Sequence, residues 1–304
     1  MRTPSSTSWR CWHDPSEPRL LRHDLTGEQL VRVMTWNLWW RFGSWEKRAA
    51  AIDAVVAEAA PDVLLLQEVW ADGDDSAAHR LAARLGFHPA ISDDPFDGVR
   101  RERGDASPPV VGFHNAIVSR WPLHDVASHP LPRLDGAPGH RRALTAVVDA
   151  PGGQWPVIST HLDYRFDQSA VRELQCRRLL EIVAQIRGDP DTAMPVVIGG
   201  DFNAVPDSDE IRLLTGRRAG PLANLVLSDC WEHVGDGPGF TWRADNPYQP
   251  HTAWPNRRLD YVFVSWPRPK PMGNPVMIRL AGFESVDGVF PSDHAAVVVD
   301  LVSS

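Results

Sequence analysis

Short apolar runs, each bounded by polar or turn-forming residues, recur along the chain and predict β-strands. The run DVLLLQEV at 62–69 is too short for a helix and is typical of a buried strand. A Pro151-Gly152-Gly153 turn separates two neighbouring runs. The predicted strands cover 31–37, 62–69, 110–119, 143–150, 154–163, 195–201, 258–265, 276–283 and 295–302.

Helical spacing of apolar residues marks three other segments. The segment 44–61 has one apolar face, and Ser44 stands where a cap is expected. A second helix is predicted near 75–85, ended by Gly86, and the longest pattern covers about 167–187. The apolar positions of the first and longest helices are Ile52, Val55, Val56, Ala59, Val171, Leu174, Leu179, Ile182, Val183 and Ile186.

Strands and helices are interspersed, but several strands are joined by turns too short for crossover helices. This order favours an α/β chain with mixed or antiparallel sheets covered by helices, rather than a doubly wound parallel sheet. Residues 1–30 read as a polar, proline-containing lead-in, and 31–304 as a single domain. Long polar connections, typical of functional rims or irregular segments, are predicted at 92–109, 130–142 and 233–257.

Composition narrows the class of protein. With 43% hydrophobic and 23% charged residues, the 304-residue chain can bury a large core. The net charge of −8 argues against a wholesale electrostatic grip on nucleic acid, but it leaves room for a local basic patch or a bridging metal ion. Cys11, Cys176 and Cys230 are odd in number and far apart, which argues against a disulfide framework and a thiolate zinc site. We expect a cytoplasmic protein without a signal peptide or membrane span.

Polar side chains capable of chemistry cluster at the ends of the predicted strands. Asp260 is a different case, because it lies inside the apolar run RLDYVFV and needs a buried partner there. The residues at strand ends are Asn37, Glu68, His161, Asp201, Asn203, Asp293 and His294. Each of these alone has an ordinary explanation as a turn former, a cap, a surface carboxylate or a satisfied core histidine. Together they are what a single site at one edge of packed sheets would produce.

The residue types at these positions favour one kind of metal. Asparagine, glutamate and aspartate oxygens suit a hard cation such as Mg²⁺ or Mn²⁺. The sequence contains no H-E-x-x-H motif and no Cys/His cluster that would indicate zinc.

Six segments resemble the motifs of the endonuclease/exonuclease/phosphatase superfamily. They are TWNLWW (35–40), LQEV (66–69), STHLDY (159–164), GGDFNAVPDS (199–208), RLDYVF (258–263) and SDHAAVVVDL (292–301). GDFN or SDH alone would be a weak match, but all six occur in the family's order. The resemblance implies a four-layer α/β sandwich of two packed mixed β-sheets flanked by helices. It also implies hydrolysis of phosphate esters with Mg²⁺, or Mn²⁺ in its place.

The resemblance also implies a metal side of the site. Glu68 would be the principal metal carboxylate, with Asn37 and Asp293 beside it, and Asn115 is a weaker candidate nearby. The full set of metal-side candidates is Asn37, Glu68, Asp201, Asn203, Asp293 and His294.

The implied catalytic residues are His161, Asp201, Asn203, Asp260 and His294. Asp201 would accept or orient the proton of the attacking water, and Asn203 would donate a hydrogen bond to the phosphate. His161 and His294 would donate to the developing negative charge, and Asp260 would orient His294 and favour its protonated form.

The sequence therefore predicts a divalent-metal-dependent phosphodiesterase or nuclease. A phosphatase or phospholipase-type hydrolase of a small-molecule or lipid head-group phosphoester stays open, as do a non-catalytic binding relative and a metal hydrolase of other bonds. The predicted partner is a phosphoester substrate, with nucleic acid among the candidates, and a monomer is the simplest assembly.

Basic and aromatic residues near the motifs leave the substrate open. They suit a nucleic acid if they line the site, and they are ordinary loop surface or packing if they do not. The arginines are Arg100, Arg101, Arg103, Arg141 and Arg142, and the tryptophans are Trp39, Trp40, Trp70 and Trp242.

Overall fold

Two mixed β-sheets pack face to face, and helices cover their outer faces. The computed structural model describes residues 22–23, 27, 29–93, 111–249 and 254–304. The first sheet contains β1 (Arg22–His23), β2 (Gln29–Asn37), β3 (Val63–Asp72), β4 (Asp75–Ser76), β5 (His88–Ile91), β6 (Gly112–Ser119), β13 (Pro275–Ala281) and β14 (Ala296–Val302). The second contains β7 (Leu123–Pro132), β8 (Pro138–Ala150), β9 (Gly153–His161), β10 (Val197–Asp201), β11 (Val226–Asp229) and β12 (Asp260–Trp266). The helices are α1 (Trp45–Ala59), α2 (Ala77–Leu85), α3 (Ser169–Ile186), α4 (Asp209–Leu214) and α5 (Cys230–Val234).

The strand orders confirm the predicted four-layer α/β sandwich. The main path of the first sheet is β13-β14-β2-β3-β6-β5, with β1 beside β2 and β4 beside β3, and the second sheet runs β11-β12-β10-β9-β8-β7. The β2–β3 and β9–β10 pairs are parallel, and the other pairs are antiparallel. Both sheets are therefore mixed.

Side chains of the central strands alternate between two buried spaces. Along β2, Val33 packs between the sheets, whereas Met34 and Trp36 pack with Ile52 of α1 on the outer face. In the second sheet, Ile198 packs with residues of α3 on the opposite outer face. Because both faces are covered, these strands read as continuous apolar runs rather than as alternating ones.

Strand direction brings the chemically capable residues to one edge. In the parallel pair β9–β10, the last residues His161 and Asp201 are register partners. Strand β12 runs antiparallel to β10, so its first residue, Asp260, is the partner of Asp201. In the first sheet, β2 ends at Asn37 beside Gln67 of β3. The ends of one set of strands and the beginnings of the other therefore meet at the same place.

The two glycines before Asp201 allow close packing. A Cβ on Gly199 would lie 2.7 Å from Leu65 Cδ1 and 2.8 Å from Thr35 Cβ, both on the facing sheet. A Cβ on Gly200 would lie 2.3 Å from the carbonyl oxygen of Thr160 on the neighbouring strand. The glycines thus fit β10 against its neighbours on two sides.

Polar groups also tie the sheets together across this interface. Gln67 Nε2 on β3 donates to Ser159 Oγ on β9 at 3.1 Å, and Ser159 Oγ donates to the Leu66 carbonyl at 2.9 Å. All three residues are buried, so water does not compete for these hydrogen bonds. The bonds therefore fix the alignment of the two sheets.

Several predicted boundaries are wrong. The polar connection predicted at 130–142 is largely strand, because β7 and β8 form a hairpin joined at 133–137. Several other elements are missed from the sequence, because their apolar patterns are weak or very short. Among them are the strands β5, β7 and β11 and the short helices α4 and α5. Ser44 stands at the N-cap position of α1, but its side chain makes no capping hydrogen bond.

Other predictions are met or lie outside the described residues. Gly86 ends α2 in the left-handed conformation, as predicted. Most of the lead-in at 1–30 and most of the predicted connection at 92–109, with Arg100, Arg101 and Arg103, lie outside the described residues. Within the described part of the chain, no helix is long and apolar enough to cross a bilayer.

The close approach at Gly199 predicts a stability effect. We expect Gly199→Ala to lower the free energy of unfolding by about 1–3 kcal/mol in urea denaturation, because the added methyl forces the sheets apart. Gly220→Ala is the matched control, since its Cβ would meet only Leu180 Cδ1 at 3.8 Å. Equal stabilities of the two variants would contradict the packing role of Gly199.

Candidate active site

One carboxylate oxygen, Asp201 Oδ2, lies at the meeting point of the strand ends. Asn37 Nδ2 donates to it at 3.1 Å, His161 Nε2 lies at 3.4 Å and His294 Nε2 at 3.7 Å. The other oxygen, Asp201 Oδ1, accepts from the backbone N–H of Asn203 at 2.9 Å. Residues from both sheets therefore surround a single buried carboxylate.

Glu68 joins this group through a distortion of β3. The β3–β6 register shifts between Leu66 and Val69, and Glu68 has a φ of 51°, which is strained for a non-glycine residue. The bulge turns the side chain towards Asn37, whose Nδ2 donates to Glu68 Oε1 at 3.2 Å. The second oxygen, Glu68 Oε2, is buried and has no hydrogen-bond partner among the described residues.

The loop after β2 is held by a buried arginine. Trp39 and Trp40 also have positive φ values, of 58° and 38°, so this loop is strained next to Asn37. The guanidinium of Arg48 on α1 donates to the carbonyls of Leu38, Trp39, Trp40, Phe42 and Pro291. These bonds connect the loop that follows Asn37 to the loop that precedes Asp293.

His294 is oriented by a buried carboxylate. Its Nδ1 donates to Asp260 Oδ2 at 2.8 Å, which leaves Nε2 directed towards Asp201. The backbone of His294 is held too, because its N–H donates to Ser292 Oγ and its carbonyl accepts from Trp36 Nε1. Asp260 thus has the buried partner that its place in an apolar strand requires.

The two histidines of the site have opposite pKa shifts. Burial alone would lower the pKa of His294, but the negative charges of Asp260, Asp201 and Asp293 raise it well above its usual value. Burial lowers the pKa of His161 well below its usual value, and the positive charges of Arg141 and His294 add to that effect. The surroundings therefore favour the cationic form of His294 and the neutral form of His161.

Burial raises the pKa of each of three carboxyl groups. The pKa of Asp201 rises to about 6 and that of Asp293 to about 7, in both cases mainly because the charged form loses hydration. The pKa of Glu68 is raised for the same reason, and its charge contributes to the shift of Asp293. A divalent cation would offset this crowding of negative charge, and the unpaired Glu68 Oε2 is a ready ligand, so the residues fit such an ion.

The site contains a second group of possible metal ligands. Atoms of Asp201, Asp260 and His294 lie within 4.8 Å of one another, as metal ligands would. However, His294 Nδ1 is already bonded to Asp260, which makes that pair a hydrogen-bonded dyad. Asp260 Oδ1 and Glu68 Oε2 are both buried without a hydrogen-bond partner among the described residues, so each carboxylate keeps one oxygen available for a cation.

These groups open into a cleft of about 340 Å³. Its walls carry aromatic and basic side chains. Two of them, Arg141 and Trp242, are among the basic and aromatic residues that the sequence places near the motifs. The lining residues are Phe42, Glu68, Phe113, Arg141, His161, Tyr164, Phe166, Asp201, Asn203, Trp242, Leu259, Asp293 and His294.

Several candidates make bracing or packing contacts. The amide of Asn115 donates to the Arg142 carbonyl at 2.8 Å, so it braces β6 against β8. Arg142 pairs with Asp93, outside the cleft wall. Trp39 stacks on Tyr248, Trp40 Nε1 donates to the Gly112 carbonyl and Trp70 packs against Trp45, so these three indoles serve packing.

Two supporting residues escaped the sequence reasoning. Arg48 lies on an ordinary amphipathic helix, and only the fold shows that its guanidinium binds loop carbonyls. Ser292, whose Oγ donates to the Asn37 carbonyl at 2.7 Å, is the first residue of the quoted SDH motif, and its position there was the available signal.

A family model and a known relative match most of this chain. The model of the Endonuclease/Exonuclease/phosphatase family matches residues 34–294. Tyrosyl-DNA phosphodiesterase 2 of Gallus gallus is 26% identical over 270 residues, which are 86% of this chain. The chain spans 64% of the length of that relative.

Solved structures share the fold. An endonuclease/exonuclease/phosphatase from Beutenbergia cavernae is 26% identical, with a TM-score of 0.64 over 90% of this chain and 71% of the other. D. rerio TDP2 complexed with a single-strand DNA product is 22% identical, with a TM-score of 0.66 over 90% and 98% of the two chains.

The contacts of Arg48 predict that lysine cannot replace it. We expect Arg48→Lys to lower the free energy of unfolding by at least about 2 kcal/mol, because one ammonium cannot serve carbonyls spread over two loops. Arg178→Lys, which changes an exposed pair with Glu181, is the control and should change stability by less than about 0.5 kcal/mol. Thermal and urea unfolding would measure both, and a fully stable Arg48→Lys protein would contradict the bracing role.

Proposed function

The chain belongs to the endonuclease/exonuclease/phosphatase family, and from that premise we propose that it is a divalent-metal-dependent phosphodiesterase. Residues 31–304 would form its single catalytic domain. The match to a tyrosyl-DNA phosphodiesterase and the shared fold with a protein bound to single-strand DNA support a nucleic-acid phosphodiester as the substrate.

One observation carries the proposal. Asp201 Oδ2 lies within 3.1 to 3.7 Å of nitrogen atoms of Asn37, His161 and His294, three residues from separate parts of the chain. A carboxylate held this way, at the base of an open cleft and with a pKa raised to about 6, is suited to orient and deprotonate water. A purely structural carboxylate would not need an open cleft beside it.

Glu68, Asn37 and Asp293 would hold the cation, with Mg²⁺ or Mn²⁺ as the expected ion. When bound, the ion would polarise the phosphoryl group and neutralise charge on the leaving oxygen. The unpaired Glu68 Oε2 and the raised pKa values of Glu68 and Asp293 support this assignment.

The remaining residues act on water and phosphate. Asp201 would accept a proton from the water that attacks phosphorus, and the P–O bond to the leaving alkoxide would break. The cationic His294 and the neutral His161 would each donate a hydrogen bond to phosphoryl oxygens as negative charge develops. Asn203 lies on the cleft wall, where its amide would donate to the same phosphate. Asp260 would act through His294, by holding its ring with Nε2 towards the cleft.

Removing either central group should abolish turnover without unfolding the protein. We expect Asp201→Ala and His294→Ala each to lower kcat on a chromogenic phosphate bis-ester by at least about 10²-fold. Asp191→Ala is the control, because Asp191 is exposed and precedes the first residue of β10, whereas Asp201 is its last residue. Circular dichroism would verify folding, and near-normal kcat of a folded variant would remove that residue from its role.

Glu68 should control the metal requirement. Wild-type activity should be lost in EDTA and restored by Mg²⁺ or Mn²⁺, and Glu68→Ala should need at least about tenfold more metal for half-maximal activity. The exposed Glu46→Ala is the matched control. Metal titrations of Glu68→Ala and wild type that superimpose would sink the assignment.

A further inference from the structure

A cluster of exposed aromatic rings lies beside the cleft, outside the reacting groups. We call Tyr164, Phe166, Trp254 and Arg257 the aromatic ledge. Tyr164 is 46% exposed, Phe166 47% and Trp254 39%, values that are high for such large apolar side chains. Among the described residues only two other aromatic side chains, Trp266 and Phe283, are exposed in this way, and both lie elsewhere. Such a concentration marks an interaction surface.

Two rings of the aromatic ledge pack against each other at a tilt. The centroids of Phe166 and Trp254 lie 4.6 Å apart with 41° between the ring planes. The Arg257 guanidinium covers both rings, at 4.6 Å from the Phe166 centroid and 4.9 Å from that of Trp254. Arg257 Nε is buried without a hydrogen-bond partner among the described residues. These contacts hold the two rings in place while both side chains stay exposed.

The aromatic ledge is continuous with the catalytic cleft. Tyr164 and Phe166 line the cleft wall together with Asp201 and Asn203. Tyr164 follows β9, the strand that ends at His161, by only three residues. If the phosphate of a bound molecule lies beside Asp201, the neighbouring groups of that molecule therefore lie next to the exposed rings.

Positive charge accompanies these rings, although the protein as a whole carries a net charge of −8. Arg165 and Arg141 lie 4.9 Å and 5.8 Å from the Tyr164 ring centroid, and Arg257 lies over the other two rings. Planar rings for stacking, interspersed with cations, suit a ligand that alternates flat bases with phosphates. They suit a neutral apolar partner less well.

We propose that the aromatic ledge stacks unpaired bases of a single-stranded nucleic acid whose phosphodiester enters the cleft. This inference rests on the proposed phosphodiesterase function, since it places the strand relative to the reacting phosphate. Unpaired bases are required because the ring faces of a duplex are already covered by neighbouring base pairs. Arg141, Arg165 and Arg257 contact the phosphates between the stacked bases.

Binding measured without catalysis tests the proposal. Fluorescence anisotropy in EDTA, with labelled ten-nucleotide oligo-dT and oligo-U, gives Kd values that do not depend on hydrolysis. Trp254→Ala and Phe166→Ala should each bind at least about fivefold more weakly than wild type, and Trp254→Phe should recover most of the loss. The control is Trp266→Ala, because Trp266 is 51% exposed but ends β12 at about 20 Å from Asp260.

Three results of the oligonucleotide experiment would overturn the proposal. They are Kd values for Trp254→Ala and Phe166→Ala equal to wild type, an equal loss with Trp266→Ala, and tighter binding of a blunt duplex than of the single strand. If Trp254→Ala and Phe166→Ala lost binding to phosphatidylserine vesicles but still bound the oligonucleotides, the surface would be assigned to lipid. That result would also contradict the proposal. Hydrolysis of a small bis-ester by wild type reports on the proposed function separately, so the two can fail independently.

Discussion

Shared burial of negative charge shapes the candidate site. Glu68, Asp201 and Asp293 lose much of their hydration where the sheet edges meet, and their pKa values rise as a result. The imidazolium of His294, oriented by Asp260, supplies one compensating positive charge, and Glu68 Oε2 keeps an unused lone pair for a cation. Such a concentration of shifted pKa values within one cleft is typical of functional sites.

The rest of the fold keeps these charges from moving apart. Gly199 lets the second sheet approach Leu65 and Thr35, and the bond from Gln67 to Ser159 fixes the alignment. Strained backbone at Glu68 and in the loop held by Arg48 is maintained by this packing. Strain at the rim and rigidity beneath it are the expected combination for a preorganised site.

Much of the fold and the membership of the site followed from sequence, for identifiable reasons. Central strands such as β2 and β3 are covered on both faces, so their apolar runs are strong signals, and parallel or antiparallel pairing then carries their end residues to one edge. Edge strands such as β7, exposed on one side and containing Pro130 and Pro132, gave no such run. The positive φ of Glu68, the carbonyls bound by Arg48 and the tilted packing of Trp254 against Phe166 depend on contacts between distant segments. The local sequence pattern therefore does not indicate them.

We propose that a metal ion binds on the Glu68 side of the cleft, while Asp260 and His294 stay a hydrogen-bonded pair. A crystal structure of the wild-type protein soaked in Mn²⁺, with the ion located by its anomalous scattering, tests that arrangement directly. We expect an ion in direct contact with Glu68 Oε2 and an intact hydrogen bond between His294 Nδ1 and Asp260 Oδ2. An ion ligated by Asp201, Asp260 and His294, with Glu68 left unbound, would contradict it.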